Sequence, residues 1–281
     1  MALTWPIVGA VLFGALLHAS WNALVKSSDD KALDTALIHL IGSLFAIPLV
    51  LAVGLPPAAS WPYVAASTVI HIGYYIALTG AYKHGDLGIT YPLMRGVAPV
   101  LVALSATLTL GETLTPLAWA GVLGVSCGVL VLGLSRRALD SRKALVFALT
   151  NAVIIAIYTV VDALGVRASG NAVQYVAMLF LIDGWPFGLL VFMRRGRAAA
   201  LPYVRRRWPV AAGASLASFG SYGIALWAMT RAPVATVAAL RETSVLFAAL
   251  LGAWFLKEPF TSRRVVGVLT IVAGVMALRL G

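Results

Sequence analysis

Ten stretches of about twenty mostly apolar residues occupy nearly the whole chain and are joined by short connections. A helix that crosses the hydrocarbon core of a bilayer needs about 20 such residues. The composition agrees with this pattern, because 61% of the residues are hydrophobic and only 11% are charged, whereas soluble proteins average about 25% charged residues. The sequence therefore predicts an all-α polytopic membrane protein with ten transmembrane helices. These are Trp5–Val25, Ala36–Leu55, Trp61–Tyr82, Ile89–Leu110, Pro116–Leu134, Ala144–Leu164, Asn171–Met193, Trp208–Met229, Val234–Leu256 and Arg264–Leu280.

The net charge is +11, and the basic residues are concentrated in short loops between apolar segments. This placement is explained by membrane topology, so nucleic acid is not an expected partner. Sixteen of the 21 Lys and Arg residues lie in the odd-numbered connections and three on the opposite side. Cytoplasmic loops of membrane proteins are enriched in Lys and Arg. We therefore expect the odd-numbered connections in the cytoplasm and both termini on the other side of the membrane.

The sequence contains an internal repeat. Arg95 and Arg241 are 146 positions apart, and so are Glu112 and Glu258. The same offset relates two pairs of glycines, and "YYIAL" matches "YGIAL" nearby. The repeat divides the chain into residues 1–138 and 139–281, with five predicted helices each. An odd number of crossings inverts the second unit, and inverted repeats place a substrate site between them at the bilayer midplane.

Two of the 21 basic residues, Arg95 and Arg241, lie in no connection but inside predicted helices. A charge at the centre of a membrane helix costs roughly 2.5–3.5 kcal/mol on insertion scales, so it normally faces a cavity or a partner. One hypothesis is that a guanidinium binds a substrate carboxylate in a bidentate fork. The alternative is a structural role, in which each arginine pairs with a carboxylate or with backbone carbonyls.

Polar and aromatic residues recur at helical spacing on four predicted helices, which predicts a polar, aromatic-walled cavity. The alternative for each residue is a hydrogen bond to a neighbouring helix. Tyr91 lies one turn before Arg95, beside Pro92 and Pro99, which predict a bent fourth helix. The stripes are His18, Trp21 and Asn22; His71, Tyr74, Tyr75 and Tyr82; Asn151, Tyr158 and Asp162; and Ser215, Ser218 and Tyr222.

Three carboxylates within predicted helices could couple transport to protons: Asp162, Asp183 and Glu242. The alternative for Glu242 is that it only neutralises Arg241, which it directly follows in the sequence.

Three stretches resemble the ten-helix, EamA-type branch of the drug/metabolite transporter superfamily. They are "HASWNALVK", the segment from "YPLMRGVAPV" to "GVLVLGL", and the segment from "APVATVAALRE" to "VAGVMAL". Within this branch the chain is most similar to bacterial exporters of amino acids, including aromatic ones. The resemblance implies that residues 1–138 and 139–281 are EamA-type repeats. It also implies a central cavity lined by helices one, three, four, six, eight and nine, no cofactor, and export across a bacterial inner membrane.

The sequence thus favours a secondary transporter that exports small amphiphilic metabolites, most of all amino acids, by alternating access. The expected partners are this cargo and the lipid bilayer, and a monomer would suffice because two repeats complete a pathway. Both termini would be periplasmic. The expected substrate-binding residues are His18, Trp21, Asn22, His71, Tyr74, Tyr75, Tyr91, Arg95, Tyr158, Asp162, Ser218, Tyr222 and Arg241.

Two alternatives remain at this point. The first is efflux of hydrophobic cations or toxic metabolites, which would need an essential intramembrane carboxylate. The second is an intramembrane enzyme or scaffold. The sequence shows no HExxH, GxSxG or Walker pattern, so neither catalytic residues nor metal ligands are expected.

Overall fold

The computed structural model describes residues 3–85, 87–133, 141–255 and 261–281. The described chain is helical almost throughout. Its helices are α1 (Trp5–Lys26), α2 (Lys31–Val53), α3 (Trp61–His84), α4 (Leu87–Leu110), α5 (Pro116–Gly133), α6 (Arg142–Ser169), α7 (Ala172–Arg195), α8 (Arg197–Met229), α9 (Val234–Arg241), α10 (Thr243–Phe255) and α11 (Ser262–Leu280), with a 3₁₀ turn at Ala58–Ser60 before α3.

The predicted class is confirmed: the protein is an all-helical polytopic membrane protein. Nine described stretches are long and apolar enough to cross a membrane. The tenth predicted span corresponds to α11, whose 19 residues carry Arg263 and Arg264 at one end and Arg279 at the other. The predicted ends Leu134 and Leu256, the repeat residue Glu258 and the side chain of Tyr82 lie outside the described residues.

The prediction for the eighth helix was wrong at its start. It was expected at Trp208, but α8 begins at Arg197 and takes in most of the predicted basic loop. Ala198–Ala200 are strong helix formers, and side chains of the added turns are anchored on the start of α2. Tyr203 donates a hydrogen bond to Asp34 at 2.9 Å, and Arg207 pairs with the same carboxylate at 2.7 Å.

The ninth predicted span is not one continuous helix. It breaks at Glu242 into α9 and α10, whereas α4 runs unbroken from Leu87 to Leu110 with Pro92 and Pro99 inside it. The break is a tight turn in which Val245 N–H donates to the Glu242 carbonyl at 3.0 Å. The bend that the prolines predict in the fourth helix stays a prediction, and no proline marks the break in the ninth span.

The two predicted units pack in an exchanged pattern. α3 packs against α6 of the second unit, and α8, the counterpart of α3, packs against α1. α2 packs on its counterpart α7, and α5 on its counterpart α11. This is the pattern that a two-fold relation between units would produce, although the division at residue 138 stays a prediction.

At one end of the bundle, which we call the odd end, polar contacts join odd-numbered connections. At the other, the even end, they join even-numbered connections. At the odd end, Asp29 and Asp30, between α1 and α2, pair with Arg206 and Arg195 at 2.8 and 3.0 Å. At the even end, Gln174 at the start of α7 donates to the carbonyl of Val53 at 2.6 Å. The alternation of ends expected from ten crossings is therefore present in the fold.

Candidate substrate site

Arg95 forms an ion pair with Glu242 in the interior of the bundle. Its Nε lies 2.7 Å from Glu242 Oε2, and the two residues are only 6% and 4% exposed. The contact joins α4 of the first unit to the turn between α9 and α10 of the second. The alternative that Glu242 only neutralises Arg241 is therefore incomplete, because its direct contact is with Arg95 while the charge of Arg241 also acts on it.

Part of the Arg95 guanidinium remains unused. Its Nη2 is buried and has no hydrogen-bond partner among the described residues. A buried donor without a partner costs free energy unless a further group satisfies it. The ion pair consequently leaves one Arg95 donor without an acceptor.

Arg241 lies at the end of α9, next to Glu242, and is partly exposed within the bundle. Its Cζ is 5.1 Å from the centroid of the Tyr222 ring on α8. At this distance the ring face attracts the cation. Arg241 is therefore held by an aromatic ring while its charge also acts on Glu242.

Four of the predicted residues lie close enough to the two guanidinium groups to feel the charge of both. Each interacts electrostatically with both Arg95 and Arg241. They come from four different helices, α1, α3, α4 and α6, and are His18, Tyr74, Tyr91 and Tyr158. We call these four, with Arg95, Arg241 and Glu242, the two-arginine cluster.

Asp162 on α6 is fully buried and is held by two tyrosines. Tyr175 donates to its Oδ1 at 2.9 Å, and Tyr222 donates to its Oδ2. Tyr222 thus bonds Asp162 through its hydroxyl and faces Arg241 with its ring. The hydrogen bond to Asp162 therefore holds Tyr222 in the orientation in which its ring faces Arg241.

A second aromatic group extends from α3. The His71 ring stacks on Tyr158 with a centroid distance of 4.5 Å, and its Nδ1 lies 3.9 Å from Asp183 Oδ1 on α7. Tyr75 stacks on Phe187 at 4.3 Å. The hydroxyl of Tyr75 lies 3.1 Å from His39 Nε2 on α2.

Several predicted residues do not join the two-arginine cluster. Trp21 contacts the His18 ring edge to face at 5.3 Å, but it otherwise packs with apolar residues of α2 and α8, and its Nε1 is buried without a partner among the described residues. Asn22 donates to the His18 carbonyl in its own helix at 2.8 Å. Ser218 is half-buried and hydrogen-bonds none of the described residues. On α6, Asn151 is fully buried and its amide contacts Met94 Sδ at 2.9 Å.

Sequence reasoning missed two residues around the site, Tyr175 and His39. Asp183, which the sequence suggested only as a group for proton coupling, is 13% exposed and faces His71. Tyr175 lies 13 residues after Asp162 on the next helix, so no periodicity relates the two. The only available signal was that each is a polar residue within an apolar helix.

Within the two-arginine cluster, Tyr74, Tyr91 and Tyr158 belong to one hydrophobic cluster, and Arg95 pairs with Glu242. A cavity of about 300 Å³ lined by described residues lies elsewhere, between α7 and α8, and its lining is apolar. A central substrate cavity therefore stays a prediction. Opening one would require these side chains to separate.

The fold defines the chain as a multi-pass membrane protein. The model of the EamA-like transporter family matches residues 142–280, so the second half of the chain is similar to this family. A solved crystal structure of a protein, 22% identical, aligns over 97% of this chain and 98% of its own with a TM-score of 0.75. That likeness concerns the fold alone. No curated protein matches the sequence.

Proposed function

We propose that this protein is a secondary transporter that exports amino acids, including aromatic and apolar ones, through a site at the two-arginine cluster. The family consists of transporters, which supports a membrane carrier without catalytic residues. Transport would proceed by alternating access between two inverted repeats, residues 1–138 and 139–281. The proposed location is a bacterial inner membrane, with a monomer as the working unit and both termini in the periplasm.

The Arg95–Glu242 ion pair is the observation that carries this proposal. A buried pair of opposite charges is costly to desolvate and is stabilised only when both partners are satisfied. An amino acid zwitterion brings the same two charges. Its carboxylate can take the place of Glu242 on Arg95, and its ammonium can take the place of Arg95 on Glu242. The exchange leaves every buried charge paired.

The charge balance favours this cargo over a hydrophobic cation. Arg95 and Arg241 together carry one more charge than Glu242 neutralises, so the cluster attracts a carboxylate. The other buried carboxylate nearby, Asp162, already accepts hydrogen bonds from two tyrosines. Efflux of hydrophobic cations is the second candidate, and Glu242 is the group that would have to bind them.

The rings around the guanidinium groups suit an aromatic or apolar side chain. Tyr74 and Tyr158 pack edge to face with centroids 6.0 Å apart, and His71 stacks on Tyr158. Pockets for small molecules combine such apolar walls with a few polar groups that fix orientation. The tyrosine faces can also attract the substrate ammonium.

Reconstitution into liposomes tests the proposal. Uptake of a radiolabelled panel of amino acids and organic cations is measured with and without a proton gradient. We expect transport of aromatic and apolar amino acids, lost in Arg241→Gln and retained in the control Arg279→Gln, whose arginine faces Trp5 at 5.0 Å. Normal transport by Arg241→Gln would exclude a required role for Arg241. Transport of cations alone would refute the amino-acid assignment.

A further inference from the structure

An apolar groove of about 300 Å³ lies between the start of α7 and the last third of α8, outside the two-arginine cluster. Val176 of α7 and Phe219 and Trp227 of α8 form its walls, and Gly220 and Gly223 form part of its floor. From Phe219 to Trp227 it extends roughly 12 Å along α8, at about 1.5 Å of rise per residue. Val173 at its edge is 49% exposed, so the groove opens to the surface that faces lipid.

The groove depends on Gly223 of α8, because a larger side chain at this position would fill it. A Cβ built at Gly223 would meet only Val176 Cγ1, at an ordinary contact distance of 3.7 Å. The space beside this position is therefore open and large enough for a larger side chain. Phe219 closes the inner side of the groove by packing on Phe180 at 4.5 Å.

A cation lies at the mouth of the groove. The guanidinium carbon of Arg231, just after α8, is 4.9 Å from the centroid of the Trp227 ring that lines the groove. Arg231 is exposed and has no acidic partner among the described residues. Arginine at the end of a membrane helix reaches the headgroup region, where it can bind phosphate oxygens in a bidentate fork.

From this arrangement we propose that the groove binds a phospholipid. One acyl chain lies between α7 and α8 against Val176, Gly223 and Trp227, and the phosphate contacts Arg231. The lipid belongs to the leaflet at the even end of the bundle. The apolar lining matches a hydrocarbon chain, and the positive charge at one end of the groove matches a phosphate at one end of that chain.

Native mass spectrometry of the full-length protein, titrated with dioleoyl phosphatidylglycerol in detergent, tests the acyl-chain part. We expect the Gly223→Leu variant to retain one lipid fewer than the wild type. The matched control is Gly213→Leu, since Gly213 is exposed on the same helix with nothing within 4 Å; it should retain as many lipids as the wild type. Should Gly223→Leu fold poorly, Gly223→Ala is expected to fold and to weaken retention in the same direction. Unchanged retention in the folded Gly223 variant overturns the proposal.

The headgroup part is tested with two ligands that share their acyl chains. Arg231→Gln should weaken binding of dioleoyl phosphatidylglycerol by roughly tenfold, as expected for the loss of one charge-assisted contact. Binding of dioleoylglycerol, which has no phosphate, should not change. Arg279→Gln, which removes another arginine that faces a tryptophan, should affect neither ligand. An equal loss of both ligands in Arg231→Gln would show that Arg231 does not recognise the phosphate.

Discussion

At the scale of single residues, the Arg95–Glu242 ion pair makes a prediction about stability. Removing one partner of a buried pair leaves an uncompensated charge, which typically costs about 3–5 kcal/mol. Arg95→Gln and Glu242→Gln should each lower the thermal unfolding midpoint strongly. The double variant should recover much of that loss, because neither member of the pair is left buried without its partner. Additive losses in the double variant would contradict the direct pairing that the structure shows.

Tyr222 has two separable roles at this scale. Its hydroxyl bonds Asp162, and its ring faces Arg241 at 5.1 Å. Tyr222→Phe should lower the free energy of unfolding by about 1–3 kcal/mol, since one carboxylate oxygen of buried Asp162 loses its donor. Transport should persist because the ring remains.

Tyr222→Leu should lower the free energy of unfolding by at least as much, because the packed ring is lost with the hydroxyl. It should also impair transport, because Arg241 loses the ring. Unfolding and liposome uptake, measured on both variants, separate the two roles. Equal transport by the Phe and Leu variants would show that the ring does not position Arg241.

The sequence could identify the site only in part, and individual residues show why. Helical spacing correctly placed His71, Tyr74 and Tyr75 on one helix face. It could not indicate that Glu242 pairs with Arg95, because that contact depends on how α4 packs against the turn after α9. His39 and Tyr175 were missed for the same reason, since only tertiary packing brings them to Tyr75 and Asp162.

At the scale of helices, apolar length was sufficient to predict where they lie. Their ends depend on specific contacts instead. α2 begins at Lys31 rather than Ala36 because the Asp30 carboxylate accepts hydrogen bonds from Ala32 and Leu33 N–H, both at 3.1 Å. That is the usual chemistry of a helix N-cap. The break at Glu242 has no comparable sequence signal, as no Pro or Gly lies there.

The close packing of α5 on α11 depends on glycine. A Cβ at Gly128 would lie 2.6 Å from Ile271 Cγ1 and 2.9 Å from the Gly267 carbonyl oxygen. Overpacking of this kind typically costs about 1–3 kcal/mol. Gly128→Ala should lower the unfolding midpoint, whereas the control Gly9→Ala should not, because nothing lies within 4 Å of its added Cβ. An equal effect in both variants would refute the predicted packing role of Gly128.

At the even end, Glu112 ties the loop after α4 to the second unit. Its Oε1 accepts a hydrogen bond from Arg167 Nη2 at 2.7 Å, and its Oε2 accepts one from Val234 N–H, at the start of α9, at 2.8 Å. Arg167 Nε also donates to the Met229 carbonyl at 3.0 Å. The carboxylate thus closes the even end beside the entrance to α9.

Weakening this tie should expose the even end. In a Cys127→Ser background, Ala232→Cys introduces a thiol at a position that is buried in the structure. A membrane-impermeant thiol reagent should label it faster when Arg167→Gln is added than when the control Arg231→Gln is added, because only Arg167 binds Glu112. Equal labelling rates would show that the Glu112–Arg167 contact does not restrict access.

At the scale of the whole molecule, the distribution of Lys and Arg predicts the orientation in the membrane. In the same Cys127→Ser background, a cysteine replacing Gly170 at the even end should react with an impermeant reagent added outside intact cells. A cysteine replacing Arg197 at the odd end should react only after the cells are opened. The reverse result would place the odd-numbered connections outside and overturn the assignment.

Helix α2 is fastened to its neighbours near both of its ends. Ion pairs from Asp30 and Asp34 to Arg195 and Arg207 hold one end, and the bond from Gln174 to Val53 holds the other. The α5–α11 contact is similarly fixed by glycines that permit no gap. The contacts of α2 with α7 and α8, and the contact of α5 with α11, therefore restrain motion between the two halves of the chain. A carrier built this way would pivot about them, and its widest movement would fall at the centre, where opening the passage means parting Arg95 from Glu242.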